Sequence, residues 1–289
     1  MLILFTDTDT DTTPEIAKEY GYNLISMPYS VGGEEIFPYE DFEVFDYQPF
    51  YAKLRKGTIP STSGISPSKY MNYFEPHFQN GDDILYVHFS TQLSGTFNAM
   101  NIAVDELLEK YPDRKFYTID TKAITICSLN IVREIGDLYK QGKTIDEIMD
   151  WAKEEVDKFA IYFYADDLKF FQRSGRVSNF KAIVGDFFGI KPIINIGSDG
   201  KMVSIGKGKG RIGALRKIIS YVEELQEDIK DHRVIIGHTD ALEIAEMLAE
   251  MLREKFGQDL NIEFVIVNPT AGSHCGPDGI GVSFHAKHR

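Results

Sequence analysis

The chain has 289 residues, of which 43% are hydrophobic and 26% charged, a composition that can bury a core and is unlike that of a disordered polymer. With 31 Lys and Arg against 44 Asp and Glu the formal net charge is −13, which repels phosphate backbones over most of the molecule and argues against a general nucleic-acid binder. The longest apolar runs, such as Leu2–Phe5, fall far short of the roughly 20 residues needed for a membrane span.

The start of the chain lacks the basic region and cleavage site of a signal peptide. Cys127 and Cys275 have no metal-ligand spacing and suggest no disulfide framework. The expectation is a soluble, cytoplasmic protein without metal or cofactor.

In chain order, Leu2–Asp7 reads as a first strand, and Thr13-Pro14-Glu15 opens a helix with proline at a favourable first position. Asn23–Val31 reads as a second strand closed by Gly32-Gly33. A helix over Pro67–Phe78 and a strand over Asp83–Phe89 follow. Over Ser94–Tyr111, Phe97, Met100, Val104, Leu107 and Leu108 share one helical face. Lys115–Asp120 reads as a strand, and helices fill most of Thr125–Lys158. This alternation predicts a parallel sheet covered by helices on both faces, a Rossmann-like α/β arrangement.

From about Phe159 the pattern changes. Strands are expected at Ala160–Tyr164 and Pro192–Ile196, with a turn at Ser198–Lys201 leading into Met202–Ile205. Helices over Ile212–Leu225 and Ala241–Phe256 alternate with strands over Val234–His238 and Ile262–Val267, before a glycine-rich terminal segment. Hairpins beside crossovers predict a mixed sheet. The domains are therefore placed at 1–159 and 160–289.

Four stretches could carry chemistry. Pro60–Gly64 offers hydroxyls at Ser61, Thr62 and Ser63, residues that also suit the cap of the following helix. Ser90–Thr96 lies where a strand ends and a helix begins. There, backbone N–H groups at Gly95 and Thr96 and the Ser94 hydroxyl suit a carboxylate or phosphate. Phe171–Ser178 and Lys207–Arg211 concentrate positive charge, with Arg173, Arg176, Lys207 and Lys209, in an acidic chain. Ala271–Gly281 reads as a tight glycine-rich loop holding His274, well placed to reach a ligand.

Taken in order, these stretches resemble the DegV family of bacterial fatty-acid-binding proteins over essentially the whole chain. The matching elements are Thr62-Ser63, Leu93–Thr96, Arg173–Ser178, Lys191–Ile194, Lys207–Arg211, Gly237–Asp240 and His274–Pro277. The resemblance implies two α/β domains with a long-chain, palmitate-like fatty acid buried between them. It implies a carboxyl group held by Thr62 and Ser94, with His274 approaching from the second domain. It further implies a carrier that is not itself an enzyme, handing its acid to a fatty-acid kinase for acyl-phosphate formation and phospholipid metabolism. The Arg173–Arg176 stretch would lie at that docking surface, and lipid exchange leaves room for transient membrane contact. Where the family has Gln and Pro after Thr-Ser, Gly64 and Ile65 stand here.

Two rival readings remain open at this point. Ser94, His274 and Asp120 or Asp240 supply the residue types of a Ser–His–Asp hydrolase acting on a lipid or acyl ester, without the Gly-x-Ser-x-Gly elbow. A nucleotide-binding module would need a glycine-rich first turn. The chain instead has the acidic run Thr6–Asp11, which repels a pyrophosphate and suits turns better than a metal cluster.

Overall fold

The computed structural model describes residues 1–178 and 189–289. Its first unit is a four-stranded sheet of β1 (Leu2–Asp7), β2 (Tyr22–Ile25), β6 (Asp83–His88) and β7 (Phe116–Asp120), in the order β2-β1-β6-β7. All its pairings are parallel, as the alternating pattern predicts. Local chemistry explains where its helices start. In α1 (Pro14–Tyr20) the Thr13 hydroxyl accepts from Ile16 N, and in α3 (Pro67–Gln79) Ser66 accepts from Lys69 N; each helix has proline in its first turn. Helix α6 (Ile145–Glu155) opens on a reciprocal Thr144–Glu147 capping box. Helix α3 packs against α4 (Thr96–Lys110), and α1 packs against α5 (Thr125–Lys140).

The second unit is a seven-stranded mixed sheet ordered β13-β12-β14-β8-β10-β11-β9. Its members are β8 (Phe159–Tyr164), β9 (Val177–Ser178), β10 (Ile190–Ile196), β11 (Met202–Lys209), β12 (Val234–His238), β13 (Ile262–Ile266) and β14 (Ile280–His285). Helices α8 (Gly210–Leu225) and α9 (Leu242–Phe256) seal one face with a separate apolar core. The opposite face receives α5 from the first unit, which packs on β8, β12 and β14. Every residue from Thr125 to Val132 is buried, because this helix is enclosed from both sides. Cys127 Sγ reaches Phe159 O at 3.3 Å and Asn130 Nδ2 donates to Arg233 O at 3.2 Å across that contact. Arg55, on α2 (Tyr47–Arg55), ties the first unit to Asp240 and Asp278 of the second.

Three sequence expectations are corrected. Asn23–Val31 is not one strand. It breaks at Ser26-Met27-Pro28, where Met27 N donates to Thr8 Oγ1, Ser26 Oγ donates to Pro38 O, and Pro28 has no N–H to give. The continuation, β3 (Tyr29–Val31), joins β4 (Glu34–Ile36) and β5 (Ser61–Thr62) in a small antiparallel sheet. Pro60–Gly64 therefore supplies a strand, not a helix cap. The glycine-rich end is likewise not a loop: it forms α10 (Pro269–Cys275), capped by Asn268, followed by β14. Helix α7 (Lys169–Ser174) lies between β8 and β9.

Packing of α1 on α5 depends on Gly136, where a Cβ would sit 2.5 Å from the Tyr20 ring. That ring is held between Arg133 and Lys140, so it cannot easily move aside. Overpacking costs about 1–3 kcal/mol, offset by about 1 kcal/mol of helix propensity. Gly136→Ala is expected to lower stability by about 1 kcal/mol, measured by denaturant unfolding.

Candidate ligand-binding site

A cavity of about 350 Å³ lies between the two units, within the range of roughly 300–1,000 Å³ usual for small-molecule sites. Asp9, Met27, Phe89 and Ile124 in its lining follow the carboxyl ends of the four parallel strands, where open α/β sheets place their ligands. The second unit contributes an apolar wall that includes Ile161, Phe163, Phe171, Met202 and Ile280. Gly237 belongs to this wall, and a Cβ there would come within 2.8 Å of Ile126 on α5.

All five residues expected to contact a ligand, Thr62, Ser94, Gly95, Thr96 and His274, line this one cavity. Thr62 Oγ1 and His274 Nε2 are 2.9 Å apart, joining β5 to α10 across the interface. Helix α10 is anchored before it reaches His274. Asn268 donates through N and Nδ2 to Asp11 Oδ1 at 2.8 and 2.7 Å, Thr270 Oγ1 donates to Met27 O at 3.0 Å, and Tyr51 OH donates to Val267 O at 2.8 Å. The helix ends at Gly276, whose φ of 70° favours glycine and whose Cβ would collide with Phe170.

The turn before α4 separates two roles. Thr96 is buried, and its hydroxyl accepts from Ile65 N at 3.2 Å and pairs with Tyr70 OH at 3.1 Å. This fastens the 62–65 segment to α4, and a Cβ at Gly64 would sit only 3.0 Å from Thr96 Cβ. Thr96 is thus a positioning residue in its side chain. Ser94 Oγ accepts from Thr96 N at 3.2 Å, which uses a lone pair and leaves its own proton to donate. Gly95 caps the helix without a side-chain bond, and nothing lies within 4 Å of where a Cβ would stand.

Burial pushes His274 down to about 4, with repulsion from Arg176 as the second cause, so the imidazole is neutral near pH 7. Arg176 is the one Lys or Arg among the described lining residues, although the sequence reading assigns it to partner docking. The lining residues exposed to solvent are Ser63, Gly64, Gly95 and Arg176, so the cavity opens at its polar end.

The basic segments do not form the single concentration expected from sequence. Val177 on β9 pairs with Met202, whereas Lys207 and Lys209 lie five and seven residues further along β11, about 17 and 23 Å at an extended rise. Arg173, Lys207 and Lys209 are exposed. The Ser–His–Asp reading also loses its geometry. His274 Nε2 is engaged with Thr62, Asp240 with Arg55, and Asp120 with Thr91 and the Lys122 backbone.

Sequence reasoning places the segment around Ile124 and Ile126 along the acyl channel without singling out Thr125, and it missed Asp9 as a lining residue. Thr125 is β-branched yet has a φ of 55°, a strained conformation that only the coordinates reveal. Asp9 belongs to the acidic run that the sequence shows plainly, but nothing there indicates that it faces inward. The described residues contain no cluster suited to a metal ion and no helix long and apolar enough to cross a membrane.

A two-unit α/β fold enclosing an interdomain cavity with a polar mouth defines the class of protein. The model of the DegV family, described as "Uncharacterised protein, DegV family", matches residues 1–287. The chain therefore belongs to the DegV family. It is 34% identical over 283 residues to a DegV domain-containing protein of Clostridium perfringens, covering 98% of this chain and 96% of that one. Among solved structures, the fold is similar to a DegV family protein from Thermus thermophilus described for fatty acid binding, with TM-score 0.85, 21% identity and 99% of each chain covered. It is also similar to a DegV family protein from Eubacterium eligens loaded with heptadecanoic acid, with TM-score 0.83, 21% identity, and 99% and 100% covered.

Because His274 binds fewer protons folded than unfolded between about pH 4 and 6.5, it makes stability fall as pH drops through that window. Asp7 and Asp11, raised by burial to about 7, act in the opposite direction between about pH 4 and 7. The expected result is therefore a difference between wild type and His274→Gln. The variant should gain relative stability on acidification from pH 6.5 to 4, measured by urea unfolding at each pH.

Proposed function

We propose that this protein binds one long-chain, palmitate-like fatty acid in the interdomain cavity and presents its carboxyl group to a separate fatty-acid kinase, performing no catalysis itself. The observation that carries this reading is the convergence of Thr62, Ser94 and His274 on a cavity whose remaining wall is largely apolar. The neighbours' descriptions as fatty-acid-binding proteins, and one loaded with heptadecanoic acid, support the ligand class. In this reading the domains are 1–159 and 160–289, the site lies between them, and the protein works in the cytoplasm.

A palmitate chain carries about 14 methylenes, each worth about 0.8 kcal/mol on leaving water, for a gross gain on the order of 10 kcal/mol before ordering costs. The carboxyl group sets the opposite requirement, since burial without partners is strongly disfavoured. A neutral His274 can donate from Nε2 to Thr62 Oγ1, which frees the Thr62 proton for the carboxylate. Ser94 donates its own proton while accepting from Thr96 N, and Arg176 supplies positive charge at the mouth. The acyl chain runs inward and the head stays near solvent, where a kinase can reach it.

Native mass spectrometry of the purified protein should show a mass increment of one fatty acid that is released on denaturation. Thr62→Ala and Ser94→Ala should each weaken binding of added hexadecanoate about tenfold or more, as expected for one hydrogen bond to a charged group. Normal lipid content in both variants would remove the assignment.

The docking reading rests on Arg176 at the mouth and the exposed Arg173 three residues before it, with Lys207 and Lys209 further along the same sheet, in a chain of net charge −13. Arg173→Glu should cut acyl-phosphate formation by the cognate kinase at least tenfold while lipid content stays unchanged, read by coupled turnover and mass spectrometry.

A further inference from the structure

The run Thr6–Asp11 buries three carboxyl groups in different surroundings. Asp7 accepts from Asp9 N at 3.0 Å, Tyr86 OH at 2.9 Å and Phe89 N at 3.3 Å. Asp11 Oδ1 accepts twice from Asn268, and its orphaned Oδ2 belongs to a residue that does not line the cavity. Asp9 differs from both. It is only 5% exposed, its Oδ1 has no hydrogen-bond partner, and it lines the ligand cavity with Thr270 as a neighbour.

The neighbouring Thr270 hydroxyl does not resolve this. Thr270 Oγ1 gives its only proton to Met27 O at 3.0 Å, so it can accept from Asp9 but cannot also donate to it. Burial, and then the charges of Asp7 and Asp11, push the Asp9 carboxyl well above its ordinary range, which favours the protonated acid. A plain hydrocarbon chain laid against it would leave that polar group unsatisfied. A ligand hydroxyl would satisfy it, by donating to the bare oxygen or by accepting the acid proton.

Position fixes where on the ligand such a hydroxyl belongs. Thr270 precedes His274 by four residues on α10, about 6 Å along the helix axis. Thr270 is buried and His274 only partly so, which puts the second polar point about one helical turn deeper than the carboxyl-binding end. We propose that Asp9 is a second polar contact in the cavity and that it selects fatty acids bearing a hydroxyl group within the first few carbons of the carboxyl end. This inference rests on the fatty-acid reading above and names the substrate class within it.

The test uses the delipidated full chain and compares dissociation constants for hexadecanoate, 3-hydroxyhexadecanoate and 16-hydroxyhexadecanoate by calorimetry. Wild type is expected to favour the 3-hydroxy acid over hexadecanoate by about fivefold to tenfold, the effect of one added hydrogen bond, with no such gain for the 16-hydroxy acid. In Asp9→Leu the preference should collapse to about one. Asp9→Asn, which keeps a donor and an acceptor in the same outline, should retain it. A wild-type ratio near one, or a ratio unchanged in Asp9→Leu, would overturn the role of Asp9 while leaving hexadecanoate binding intact. Failure of all three acids to bind would overturn the fatty-acid reading and this inference together.

Discussion

The contact between Thr62 and His274 joins residues 212 positions apart and lies where the two halves of the chain must meet. For it to form, β5 must pair with β3, α10 must be capped and anchored, and the second sheet must close over α5. Each requirement is met by specific chemistry: Gly64 allows the 62–65 segment against Thr96, Asn268 locks α10 to Asp11, and Gly237 admits Ile126. The cavity is the space left when these contacts are satisfied.

The electrostatics follow from that enclosure. Burial holds His274 neutral, keeps the Cys275 thiol up at about 12 and raises all three aspartates of the first turn. Such an interior tolerates polar groups only where hydrogen bonds are supplied. It therefore suits a ligand with one acidic end and a long apolar body better than a compact, highly charged metabolite. The acidic run at the first strand's end, which argues against a nucleotide, gains a place in this account as part of the cavity wall.

Much of the architecture was legible in the sequence because the main elements have strong periods and clear punctuation. Leu2–Asp7 and Val234–His238 coincide with their strands, and Pro14 and Pro67 mark helix starts that Thr13 and Ser66 cap. The small sheet of β3, β4 and β5 was not legible, since its strands have two or three residues each and are held by long-range pairing. Helix α10 was hidden because seven residues rich in small side chains, bounded by glycine and proline, look like a loop until Asn268 is seen capping them. At the site, Thr62, Ser94 and His274 were found through the family pattern. Asp9 was not, because inward orientation is a property of the turn after β1 and leaves no mark in residue type. Arg176, assigned to partner docking, stands exposed just before β9 and also lines the cavity mouth, a position that residue type alone does not reveal.

A crystal structure of the protein with 16-bromohexadecanoate, using the anomalous signal of bromine to fix the chain direction, tests the central claim most directly. The account requires the carboxyl oxygens to lie within about 3 Å of Thr62 Oγ1 and Ser94 Oγ, with the bromine deep among Ile161, Phe163 and Ile280. A bromine at the mouth beside Arg176, or a ligand seated outside this cavity, would contradict it.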